Sequence, residues 1–109
     1  NRANAFRHAL WVVLLGQFVY QKNEDITIAK NWALKVTTAH EDIAVNKPLE
    51  RTMDLHNNKV GILLLAELIN KKEDEIVLLL MKKAQEAQQI CEPEEVINFK
   101  NQLVYISEE

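Results

Sequence analysis

The chain has 109 residues, 48% of them apolar, with 16 acidic and 13 basic side chains and a formal net charge of −3. This length is enough for one hydrophobic core and too short for two. Only two glycines and two prolines are present, whereas a β-sandwich or β-barrel needs turn residues roughly every 8–12 positions. The acidic balance makes nucleic acid an unfavourable partner, because broad binding to it requires a basic surface. We therefore expect a single helical domain over residues 1–109, and, because its first residues already favour helix, a fragment of a longer protein.

The spacing of apolar residues predicts a compact all-α bundle of four main helices. The first, over about residues 3–21, contains the apolar run 10–15, which is typical of a helix enclosed by its neighbours. A second, amphipathic helix follows a cap at residues 23–25, and a third begins at Pro48, since proline suits the first helical turn. The fourth spans about residues 75–90.

The C-terminal part is predicted to be a short helix followed by an extended tail. Pro93 and the two acids after it favour a short helix that ends near Gln102. Residues 103–107 have the composition of a strand, with no second strand apparent, so they either lie against the bundle or pair outside this chain. The longest apolar stretch, residues 9–20, has twelve residues, while a membrane span needs roughly 20. No membrane span is predicted, and the single cysteine, Cys91, cannot form an internal disulfide.

Polar side chains lie on the predicted core faces of three helices. Burying such groups without partners costs about 1–3 kcal/mol each, so we expect them to contact one another. We predict that His8, His40 and Asp54 form the centre of one cluster, with Glu41 and Asn58 as further members. Gly61 interrupts the third helix at a cost of roughly 1 kcal/mol relative to alanine, which predicts a close approach by another helix or a ligand. The second helix is expected to bury one face with residues at three- and four-residue spacing: Ala29, Trp32, Ala33, Val36, His40 and Ile43.

Three sequence blocks resemble an uncharacterised bacterial family of helical domains. The blocks are N-R-A-N-A-F-R-H-A-x-W (residues 1–11), A-H-E (39–41) and M-D-L-H-N-N-x-x-G (53–61). Domains of that family often lie at the C-termini of secreted or surface-associated proteins, some of them similar to polymorphic toxins, and no activity is assigned to them. The resemblance implies the same setting here, with an immunity or other partner protein. Its motif positions fall on Arg7, His8, Trp11, His40, Glu41, Asp54, Asn57, Asn58 and Gly61. The family usually has Asp where this chain has Asn4.

These residue types suggest a hydrolase. His8, His40, Glu41 and Asp54 are side chains that bind zinc or a similar divalent metal, or that act as general acids and bases. Arg7 would then stabilise an anion, and Asn57 and Asn58 would bind substrate. The chain has no H-E-x-x-H motif, so a metal site depends on how the helices pack.

Two alternatives remain open. Arg51 and His56 form an R-x4-H pair that resembles the motif of the helical HEPN ribonucleases, which need no metal. Packing is the simpler explanation of His56, because it shares an apolar face with Met53 and Val60. The other alternative is a helical interaction module without catalytic activity, which docks through its C-terminal tail. A dry and fully paired polar cluster is expected of such a module.

Overall fold

The computed structural model describes residues 1–44 and 46–108 as an all-α bundle with a short C-terminal helix and an extended tail. Its helices are α1 (Arg2–Asn23), α2 (Ile26–Ile43), α3 (Pro48–Leu68), α4 (Glu73–Gln85) and a 3₁₀ helix (Pro93–Phe99). The expected start of α2 is confirmed, since Asp25 accepts hydrogen bonds from the N–H groups of Thr27 and Ile28. Pro48 occupies the first turn of α3, as predicted. Across the described ranges, no helix combines the length and hydropathy needed to cross a bilayer.

The C-terminal tail pairs within the chain, which corrects two expectations. Helix α4 ends at Gln85 rather than near residue 90, and two short strands, β1 (Gln88–Gln89) and β2 (Val104–Tyr105), pair in parallel. The N–H of Gln88 donates to the carbonyl of Leu103, and that of Ile90 donates to the carbonyl of Tyr105, both at 2.9 Å. Ile90 and Val104 are fully buried in one cluster. This burial outweighs the local helical preference of residues 86–90.

Helices α1 and α3 form the centre of the bundle and run parallel. Asn4 contacts Asp54, His8 contacts Asn58, and Gln17 reaches the carbonyl of Leu68. Because the partner numbers rise together, the N-terminal ends of the two helices lie side by side. Their first turns therefore bring polar residues together, and their later turns bring apolar ones together.

Both glycines permit this close packing. A Cβ at Gly61 would lie 3.0 Å from the Cβ of Val12 and 3.2 Å from the carbonyl oxygen of Ala9. A Cβ at Gly16 would overlap Cδ2 of Leu65 and lie 2.7 Å from its Cδ1. The predicted close approach at Gly61 is confirmed, and the helix that approaches is α1.

The buried face of α2 contains the two alanines of the expected face but not its larger residues. Trp32 is 52% exposed and Ile43 is 82% exposed, and His40 also lies on the surface. The residues of α2 that are buried are Ala29, Ala33, Thr37 and Glu41, spaced by four. The small side chains near the start of this face let α2 approach the bundle closely. The same face carries Glu41 into the interior.

Candidate functional site

Three helices bring His8, Glu41 and Asp54 together at one end of the bundle. His8 lies in the second turn of α1, Asp54 in the second turn of α3, and Glu41 near the end of α2. One ligand atom from each side chain lies within 4.8 Å of the other two. An imidazole and two carboxylates, taken from residues far apart in sequence, thus share one small volume.

Asn58 orients the His8 ring toward Asp54. Nδ1 of His8 lies 2.9 Å from Oδ1 of Asn58, and because an amide oxygen only accepts, Nδ1 carries the proton. In neutral His8 the other ring nitrogen, Nε2, then presents a lone pair, and it faces Oδ1 of Asp54 at 3.3 Å. Two acceptors at this distance require a proton or a cation between them. Asn58 is 1% exposed, and its Nδ2 is a buried donor with no hydrogen-bond partner among the described residues.

The ionisation of Asp54 is perturbed by its surroundings. Burial raises the pKa of Asp54, His8 opposes that rise, and the negative charge of Glu41 adds to it. The amide of Asn4 donates to Oδ1 of Asp54 at 3.2 Å, which also opposes the rise. The net effect is a pKa above the ordinary 3.8. The folded protein therefore resists placing a second negative charge beside Glu41.

Glu41 is the most enclosed acid of the site, with 2% of its surface exposed. Nδ2 of Asn46 donates to its Oε2 at 3.3 Å. Its backbone carbonyl accepts from Arg51 at 2.6 Å, and the same guanidinium pairs with Asp42. Arg51 thereby fixes the last turn of α2 and leaves the Glu41 carboxylate directed to the cluster.

The cluster is accessible from solvent through two adjoining cavities. A cavity of about 430 Å³ is lined by Asn1, Asn4, Arg7, Asn46, Glu50, Met53, Asp54, Ile106 and Ser107. A second, of about 240 Å³, is lined by Asn4, Arg7, His8, Trp11 and His40. Asn4 and Arg7 border both cavities. Arg7 is exposed, so its guanidinium lies at the entrance to a site whose other charged groups are mainly acidic.

The structure brings most of the predicted residues together, but Glu41 occupies the central place that was predicted for the adjacent His40. His8, Asp54, Glu41 and Asn58 meet as expected. His40 lies outside the group of three metal-ligating side chains. Its ring packs edge-on against Trp11, with 5.2 Å between ring centroids, at the rim of the smaller cavity. The reason is the helical step of about 100° between neighbouring residues, which directs residue 41 inward and residue 40 outward.

Asn57 holds the C-terminal tail. Its side chain is fully buried. Its Nδ2 donates to the carbonyl of Val104, and its Oδ1 accepts from the N–H of the same residue, both at 2.9 Å. In this way Asn57 takes the place of a third strand beside β2. The expected contact between Asn57 and substrate finds no support in this geometry.

The tail is a part of the site that the sequence analysis did not find. Arg2 lies over the ring of Tyr105, 4.3 Å from its centroid, and pairs with Glu108. These contacts and the Asn57 bonds hold the tail against α1 and α3, where Ile106 and Ser107 form one wall of the larger cavity. The sequence signal of this docking was the strand-like composition of residues 103–107.

Arg51 and His56 serve different parts of the structure. Arg51 binds the end of α2, whereas Nε2 of His56 lies 2.8 Å from the carbonyl of Gln102. Neither belongs to the His8 cluster, as expected. The ribonuclease alternative gains no support from this arrangement, because each side chain already has its own structural partner.

Comparison with known proteins identifies one family. Residues 1–88 match a family model described as "Domain of unknown function (DUF6973)". No curated protein and no solved structure matches the chain significantly. The matched segment contains His8, Glu41 and Asp54, whereas the tail that lines the cavity lies outside it. An uncharacterised domain family is what the sequence blocks led us to expect.

Proposed function

The chain belongs to the DUF6973 family, and we propose that it is a metal-dependent hydrolase whose divalent ion is held by His8, Glu41 and Asp54. The observation that carries this proposal is the convergence of one imidazole and two buried carboxylates within 4.8 Å, beside an open polar cavity. A closed and fully paired cluster is expected of a helical interaction module. The two cavities and the unpartnered Nδ2 of Asn58 therefore favour an active site.

The donor set fits zinc or a similar ion. Zinc accepts one imidazole nitrogen and carboxylate oxygens at about 2.0–2.2 Å, so neighbouring ligands around a tetrahedral ion lie roughly 3.4 Å apart. Nε2 of His8 and Oδ1 of Asp54 are 3.3 Å apart. Because Asn58 accepts from Nδ1, Nε2 is the ring nitrogen that would bind the ion, which would take the place of a proton between Nε2 and Asp54. Burial raises the pKa of Asp54, and the negative charge of Glu41 raises it further. A cation here would stabilise the ionised form of Asp54 against both effects. When bound, such an ion activates water and polarises the bond to be cleaved.

The residues around the cluster would recognise an anionic substrate. Arg7 borders both cavities and is exposed, so its guanidinium would bind a carboxylate or phosphate group of the substrate. Asn4 would hold Asp54 in place through its 3.2 Å hydrogen bond. Ser107 would add a hydroxyl from the tail side of the cavity.

We further propose that this hydrolase acts as an effector or toxin domain of a longer bacterial protein. The support is the resemblance of the three sequence blocks to domains at the ends of secreted proteins. An immunity protein that covers the cavity would be the corresponding partner. Expression of the domain in a bacterial cytoplasm tests this part, because a toxin slows growth and its Asp54→Asn variant does not.

Metal titration tests the site directly. Purified protein is stripped with a chelator, and Zn²⁺ binding is measured by calorimetry for wild type, His8→Ala and a matched control, His56→Ala, whose ring binds the Gln102 carbonyl instead. We expect one ion per chain for wild type and the control, and at least a tenfold weaker affinity for His8→Ala. Equal affinity in all three proteins, or no binding at all, would refute the metal site.

Activity is then measured on a panel of phosphate, carboxylate and peptide esters with and without metal. We expect metal-dependent turnover that Asp54→Asn abolishes and that Arg7→Ala lowers mainly through KM. Turnover that survives chelation and both variants would overturn the proposed mechanism.

A further inference from the structure

A further cavity, similar in volume to the larger cavity of the candidate site, is lined by a different set of side chains. It is an apolar groove of about 410 Å³ between α2, α3 and the 3₁₀ helix. Its lining consists of Leu34, His56, Lys59, Ile62, Leu63, Val96, Ile97 and Lys100. None of these residues lines the two cavities of the candidate site, so the groove is a separate surface feature.

The groove leaves large apolar side chains in water. Leu63 is 58% exposed and Ile97 is 69% exposed. Ligand cavities have volumes of roughly 300–1,000 Å³ and are lined mainly by apolar groups, with a few polar groups that set orientation. Five of the eight lining side chains here are aliphatic. A ligand that covered them would remove this apolar surface from water.

The polar groups of the groove are basic. Lys59 and Lys100 contribute ammonium groups, and His56 is held by its bond to the Gln102 carbonyl. Among residues 1–44 and 46–108, no acidic or amide side chain lines the groove, although the whole chain carries a net charge of −3. An extended peptide would find no side-chain carboxylate or amide to accept its N–H groups. A ligand whose only polar group is an anion has no N–H groups that need these acceptors.

We infer that this groove binds an amphipathic carboxylate with a single hydrocarbon chain, a free fatty acid, with its chain along Ile62, Leu63 and Ile97 and its carboxylate at Lys59 or Lys100. The groove offers hydrocarbon contact over most of its surface and a positive charge at two points of its lining. This ligand matches both features with one anionic group and no further polar atoms.

Calorimetry with sodium octanoate, decanoate and dodecanoate, each below its micelle concentration, tests the inference. We expect saturable one-to-one binding that strengthens roughly tenfold for each two methylenes added. The probe decyltrimethylammonium, which has the opposite charge, should bind at least tenfold more weakly than decanoate. Equal binding of the two would show that charge plays no part and would overturn the proposal.

Matched variants locate the binding site. Ile97→Asp should abolish decanoate binding, whereas Leu78→Asp on α4, which is also 69% exposed and lies outside the groove, should not. Lys59→Glu should weaken binding at least fivefold, while Lys71→Glu should leave it unchanged. Circular dichroism melting checks that each variant is folded. If Ile97→Asp and Lys59→Glu are both folded and bind decanoate with wild-type affinity, the groove is not the fatty acid site.

Vesicles distinguish a free ligand from a membrane surface. Wild-type protein is sedimented with vesicles of phosphatidylglycerol and with vesicles of phosphatidylcholine. We expect no sedimentation with either, because the groove accepts a single chain. Binding to the anionic vesicles without binding to decanoate would identify a membrane-contact patch and overturn the fatty acid site.

Discussion

Replacing Asn57 with alanine should be strongly destabilising. The substitution removes two hydrogen bonds of 2.9 Å and leaves the N–H and the carbonyl of Val104, which is 0% exposed, without partners. Each buried group left unpaired costs about 1–3 kcal/mol, so the expected loss is about 2–6 kcal/mol. Domains of this size are stable by about 5–15 kcal/mol. A large share of the stability thus depends on one amide.

Urea unfolding and hydrogen exchange measure this effect. Asn31→Ala is the matched control, since Asn31 is exposed on α2 and its loss should change the free energy of unfolding by less than about 0.5 kcal/mol. In Asn57→Ala we also expect faster exchange at the amides of Val104 and Ile90, because the tail and β1 lose their common support. A loss below about 1 kcal/mol with unchanged exchange would refute the assignment of Asn57 as the anchor of the tail.

Three further predictions concern packing, charge and metal binding. Gly16→Ala should cost about 1–3 kcal/mol, because the added Cβ overlaps Leu65, which is buried; an unchanged melting temperature would contradict this. Asp54→Asn should be at least as stable as wild type at pH 7, because the raised pKa of Asp54 means that the folded state binds this proton more tightly than the unfolded state does. The stability advantage of Asp54→Asn over wild type should shrink as the pH falls through the raised pKa toward 3.8. Urea unfolding at several pH values measures this trend, and an advantage that grew at low pH would contradict the prediction. His40→Ala should keep the wild-type affinity for zinc, since the ring contacts Trp11 outside the ligand group, and a tenfold loss in the calorimetric titration would restore His40 as a ligand.

Sequence periodicity was sufficient for the helices and for part of the site. The apolar run 10–15, the cap at Asp25 and the position of Pro48 are local signals, and each acts within one or two turns of the residue concerned. His8 and Asp54 were predictable as partners because each lies on the predicted core face of its helix, and a buried polar group requires a partner. Gly61 also predicted a close approach from a local signal, because glycine inside a helix costs stability and needs a reason to be there.

Only the tertiary structure decided which residue of α2 joins the cluster and what holds the tail. His40 and Glu41 are adjacent, and the choice between them depends on the rotation of α2 about its axis. Packing of Ala29 and Ala33 against the bundle sets that rotation. The sequence predicted one buried face for both alanines together with Trp32 and Ile43, which lie exposed. The pairing of residues 88–89 with 104–105 depends likewise on burial shared between segments far apart in sequence. Local propensity carries no information about such contacts, because their free energy exists only once both partners are in place.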